Sequence, residues 1–246
     1  MPIFSKNPQA YAPFATAPPD EAAEIPATRE ELAVLNDPQG VIAEQYRRLR
    51  NSILTLNPDR ASRTILMTSA TRGEGKSVAT LNLALALVES PPTRVVVVDA
   101  DIRAPSVEHY LGLPRRRGIT ELLRGEIPLK AAVRRTSIKN LDIIAAGERS
   151  HDPNGVMNLD RIKSVLHTLK REYDYVLLDT PPALALNDPS MLGTVSDGII
   201  LVVRLGETPR HMVEQAQRIL ETLGGNILGL CLTGARASKN SAYGPY

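Results

Sequence analysis

From Gly40 onward the chain carries two alternating patterns of apolar and polar positions. Ile42, Tyr46, Leu49, Ile53 and Leu56 recur at steps of four, three, four and three, the period of an amphipathic helix, and Pro58 predicts its end at Asn57. Beyond it, short aliphatic runs over 64–69, 94–99, 141–145, 175–179, 198–203 and 227–233 predict strands. The segments 76–90, 160–172 and 209–223 between them have helical periodicity. The strands are apolar nearly throughout, as expected of strands covered on both faces. Strand and helix in alternation predict right-handed crossovers and an α/β fold, a doubly wound, mostly parallel sheet flanked by helices.

The texture differs at both ends. Seven prolines fall within the first 38 residues, mixed with Ala, Asp and Glu, so 1–38 reads as a disordered, acidic tail. The folded domain is expected over 39–235. Residues 236–246 are polar, include Gly244 and Pro245, and read as a flexible tail.

At 246 residues the chain is long enough to bury a sizeable core. Only 4% of residues are aromatic and none is Trp, so the interior must be filled by aliphatics, and recognition of bases by aromatic stacking is disfavoured. Net charge is +2, unevenly spread: 1–38 hold six acids against two bases, and the rest holds 27 bases against 21 acids. Arg115, Arg116 and Arg117, with Arg134 and Arg135, read as a solvated basic face, and no nucleic-acid partner is expected. The single cysteine, Cys231, lies in an apolar run and reads as core filler, which fits a reducing compartment. No apolar stretch approaches the roughly 20 residues of a membrane span, and no secretory leader pattern opens the chain. A cytoplasmic location is the expectation.

The chemistry concentrates at three strand ends. Ser69-Ala-Thr-Arg-Gly-Glu-Gly-Lys-Ser77 follows a predicted strand and opens a predicted helix, with Gly75-Lys76-Ser77 at P-loop spacing and Ala70 where a first glycine is usual. Glycines let successive N–H groups turn toward phosphate oxygens, and the helix adds the positive end of its dipole. Thr71, Arg72, Gly73, Glu74, Gly75, Lys76, Ser77 and Val78 are therefore the candidate nucleotide contacts, with Lys76 reaching the phosphates and Ser77 able to ligate Mg²⁺. Asp99 and Asp101 follow one apolar strand and Asp179 ends another, on the edge where α/β sheets bind ligands.

In that order these motifs resemble the bacterial tyrosine kinases, cytoplasmic ATPase and autokinase components of capsule and exopolysaccharide export. Glu44-Gln-Tyr-Arg47-Arg-Leu-Arg50 is similar to the family's ExxRxxR element. Gly73 to Ser77 is similar to its Walker A core, and Asp99-Ala-Asp101-Ile-Arg103 to its second Walker motif. Leu111-Gly-Leu-Pro, Gly118-Ile-Thr-Glu-Leu-Leu, Asn140-Leu-Asp and the run from Asp174 to Pro182 also resemble it. Cell-division and plasmid-partition ATPases share the superfamily but carry a lysine where this chain has Thr71, which favours the kinase branch.

The resemblance implies a Mg²⁺- and ATP-dependent protein-tyrosine autokinase that regulates polysaccharide polymerisation. Lys76, Asp99, Asp101 and Asp179 would be catalytic, and Ser77 and the three aspartates would hold the metal, one of Asp99 and Asp101 serving as base. Glu44, Arg47 and Arg50 would make contacts in a homo-oligomeric ring, and Tyr243 and Tyr246 would be the acceptors. A separately encoded membrane polysaccharide co-polymerase would hold the kinase peripherally at the inner face of the membrane. An ATP-switched assembly factor without kinase output, and a partition-type ATPase, are the alternatives. Two departures stand out: Arg72 replaces the family's usual Pro, and Thr233 follows the last strand where Asn is usual, a residue suited to adenine.

Overall fold

The structure is a computed structural model and describes residues 30–150 and 152–234. In chain order its elements are α1 (Ala33–Asn36), α2 (Val41–Thr55), β1 (Arg63–Ser69), α3 (Lys76–Val88), β2 (Val95–Asp99), α4 (Val107–Tyr110), α5 (Ile119–Arg124) and α6 (Leu129–Ala132). There follow β3 (Val133–Arg135), β4 (Leu141–Ile144), α7 (Pro153–Val156), α8 (Leu159–Leu169), β5 (Tyr175–Asp179), α9 (Asp188–Gly193), β6 (Gly198–Arg204), α10 (Arg210–Thr222) and β7 (Ile227–Thr233). The strands form one seven-stranded sheet in the order β3-β4-β2-β5-β1-β6-β7. All pairings are parallel except β3 with β4.

Side chains alternate between two cores. Val95 and Val97 of β2 face one layer with α1 to α4, while Val96 and Val98 face the other with α5 to α10. The near-continuous apolarity of the central strands follows from this double covering. Helix α3 is itself apolar around most of its circumference, because it lies between the sheet and α1 and α2. Leu81, Leu83, Ala84, Ala86 and Leu87 are all fully buried there.

Two features depart from the sequence reading. Leu32 and Val34, inside the expected tail, are buried against α3. They stay there because Asn82 of α3 satisfies the incoming backbone: its Oδ1 accepts from Val34 N at 3.0 Å and its Nδ2 donates to Glu31 O at 2.8 Å. Structured chain thus begins ahead of the expected boundary at 39. The second is β3, a short antiparallel edge strand whose two arginines hide it from a search for apolar runs. The remaining strands and long helices lie where the periodicity predicts them, within a few residues at each end. Among the described residues no helix is long and apolar enough to cross a membrane.

Candidate active site

The carboxyl ends of β1, β2 and β5 converge at the centre of the sheet. After β1 the chain turns through Gly73 and Gly75, at φ of +82° and +85°, a left-handed conformation that favours glycine. Between them Glu74 is buried at 2% exposure and folds back on the loop. Its carboxylate accepts from Thr71 Oγ1 at 2.6 Å, Thr71 N at 3.0 Å and Ala70 N at 3.2 Å. Glu74 therefore braces the loop from within, with its side chain turned away from any phosphate. Helix α3 begins at Lys76 with no side chain capping it, so the N–H groups of its first turn are free to face an anion. Lys76, Ser77 and Val78 of that turn are half-buried, and Arg72 is exposed.

Strand register sets the carboxylates. Asp99 and Asp179, the last residues of β2 and β5, are direct partners across the parallel pair. Asp99 Oδ2 accepts from Ser106 N at 2.9 Å and Val107 N at 3.0 Å, and Oδ1 from Asp101 N at 3.2 Å. Burial and the neighbouring Asp179 push its carboxyl well above the ordinary range. Asp101 Oδ1 accepts from Ala104 N at 3.0 Å. Asp179 is fully buried, yet neither of its oxygens receives a well-formed hydrogen bond. Burial pushes it up to about 7, against the pull of the Ser77 hydroxyl and the Lys76 ammonium.

A buried carboxylate with no well-formed hydrogen bond fits a divalent cation. Among the described residues no cluster of three His, Cys, Asp or Glu could enclose one. Mg²⁺ commonly takes one or two protein oxygens and completes its shell with water and phosphate, and the Ser77 hydroxyl and Asp179 carboxylate are oxygens of that kind.

Ser106 and Arg204 were not legible as site residues, and Thr233 was marked only as a departure from the family beside the base. Ser106 donates through its Oγ to Ser77 Oγ at 2.7 Å, a meeting that only the fold produces. Arg204 Nη1 donates to Gly73 O at 3.2 Å, and Thr233 Oγ1 to Glu74 O at 2.6 Å. Both stand at the carboxyl ends of β6 and β7, where ligand-binding residues of such sheets are found. Arg103, from the second acidic motif, pairs with Asp188 of α9 at 3.6 Å.

The candidate oligomer residues lie apart from this centre, on α2. Arg47 makes a bidentate pair with Glu89, both contacts at 2.8 Å, and Arg50 donates to Ala86 O at 3.2 Å. Glu44 is 3.8 Å from Arg47 and largely exposed. Tyr243 and Tyr246 lie outside the described residues.

A protein-family model described as an AAA domain matches residues 62–225. Tyrosine-protein kinase YwqD of Bacillus subtilis is 32% identical over 218 residues, covering 89% of this chain and 92% of that protein. The solved kinase domain of Escherichia coli tyrosine kinase ETK is similar at a TM-score of 0.79 and 28% identity, over 87% of this chain and 84% of that one. The septum site-determining protein MinD of Pyrococcus horikoshii, solved with Mg-ADP, is similar at a TM-score of 0.60 and 27% identity, over 70% of each chain. Since the likeness to a tyrosine kinase extends over nearly the full length of both proteins, this chain belongs to the bacterial tyrosine-protein kinase family and is a protein-tyrosine kinase on a P-loop ATPase fold.

Proposed function

We propose that the chain is a Mg²⁺- and ATP-dependent autokinase that phosphorylates tyrosines of its own kind and thereby regulates exopolysaccharide or capsule polymerisation and export. The observation that carries this reading is Asp179, buried without a well-formed hydrogen bond beside Ser77 and Lys76 at the mouth of a phosphate loop. The N–H groups of 73 to 78 would hold the β and γ phosphates, and Lys76 would neutralise their charge. Ser77 and Asp179 would hold Mg²⁺, which supplies charge neutralisation at the transferring phosphoryl group. Asp99 is occupied by three backbone N–H groups and would position the 100–107 loop around the metal's outer waters. Asp101, engaged by one, would accept the proton of the incoming tyrosine hydroxyl.

The acceptors proposed are Tyr243 and Tyr246, presented by one subunit to the next in a ring that uses Glu44, Arg47 and Arg50. The partner proposed is a separately encoded membrane polysaccharide co-polymerase, which would place the kinase at the inner face of the membrane. Both follow from the family resemblance. The test is incubation of purified protein with labelled ATP, followed by mass spectrometry for phosphotyrosine. Wild type is expected to carry label at Tyr243 and Tyr246, and Lys76→Met to carry none. Absence of phosphotyrosine from wild type, with the co-polymerase's cytoplasmic segment present, would sink the autokinase reading.

A further inference from the structure

An anion-binding loop turns its N–H groups inward, so the carbonyls of the same residues need partners on the outer side. In this chain two side chains from the ends of neighbouring strands supply them. Arg204 of β6 donates to Gly73 O at 3.2 Å, and Thr233 of β7 donates to Glu74 O at 2.6 Å. The Thr233 methyl also packs over Gly75, where an added Cβ would lie 3.6 Å from Cγ2. Glu74 is thus held twice, its carboxylate inside the loop and its carbonyl by β7.

We infer that Thr233 is a positioning residue for nucleotide binding: it fixes the Glu74 peptide, and so the phosphate loop, and does not read the base. A threonine hydroxyl has one proton; its near acceptor is Glu74 O at 2.6 Å, with Val203 O farther off at 3.5 Å, so the hydroxyl is committed to the backbone as a donor and could meet a purine only as an acceptor. Gly73 and Gly75 confer freedom on both sides of Glu74, so a loop without this anchor would sample conformations in which its N–H groups no longer converge. The inference rests on the nucleotide reading above.

The test compares Thr233→Ser, Thr233→Ala and Thr233→Val with wild type for Mg·ADP affinity by calorimetry and for steady-state kinetics with ATP and GTP. Both Ser and Ala lose the methyl, so the difference between them isolates the hydroxyl. Ala and Val are expected to bind Mg·ADP about tenfold more weakly and to raise KM for ATP by a similar factor, with kcat changed less than about twofold. Ser is expected to bind within about twofold of wild type, and the ratio of ATP to GTP efficiency to stay the same in all variants. Equal binding by Ala and Ser overturns the inference while leaving the nucleotide reading in place. A changed ATP-to-GTP ratio in Ala or Val overturns it in favour of base recognition, by the hydroxyl where Ser restores the ratio and by the methyl where it does not. A wild type that binds no nucleotide overturns both.

Discussion

Asp179 is fully buried, is the register partner of Asp99, and receives no well-formed hydrogen bond. Replacing it with Asn keeps the shape and removes a costly charge. Asp179→Asn is expected to stabilise the nucleotide-free protein by about 1–2 kcal/mol, roughly 2–8 °C in Tm, while abolishing phosphotyrosine formation. Thermal melts and phosphotyrosine blots of the same preparation check both halves. Glu74 should behave in the opposite way. Glu74→Ala leaves the buried N–H of Ala70 and the half-buried N–H of Thr71 without their acceptor and is expected to cost about 1–3 kcal/mol, measured by urea unfolding. Lys76 and Ser77 are candidates in the sequence because the strand, loop and helix order announces them, and Asp179 because it closes an apolar strand. The inward turn of Glu74 was not legible, since a glutamate between two glycines has the same spacing whichever way it points. Thr233 meets Glu74 across 159 positions, a distance at which local pattern is silent.

Among the elements, the long ones were legible because burial on a fixed face imposes a period. Helix α1 escaped because four helical residues at the edge of a proline-rich segment have no period to detect, and their order depends on Asn82 of another helix. This gives a truncation test. Relative to removing 1–29, removing 1–36 also strips Leu32 and Val34 from the core and should cost about 3–6 kcal/mol. Equal melting of the two truncations would count against the packing described. Helix α2 presents Arg47 and Arg50, both tied to the end of α3 within the subunit. The pair with Glu89 is partly exposed and worth at most about 1 kcal/mol to the monomer. If the proposed ring uses these arginines, Arg47→Ala/Arg50→Ala should turn it into monomers in light scattering, with Tm little changed.

For the whole molecule, two apolar layers back one sheet and every candidate phosphate and metal residue emerges on one edge of it. Deleting 236–246 is expected to leave Mg·ADP affinity unchanged while removing phosphotyrosine, read by calorimetry and mass spectrometry. Helix α3 joins two functions that this layout keeps apart. Its first turn would face the phosphates in the proposed site, and its far end, about 20 Å away over 13 residues, is gripped by Arg47 and Arg50 through Glu89 and Ala86. A neighbouring molecule that engages Arg47 must compete with Glu89 for the same guanidinium. The helix is a stiff rod with one end in the catalytic centre and the other in a contestable handshake, and any preference of the handshake for one nucleotide state works in reverse with equal strength.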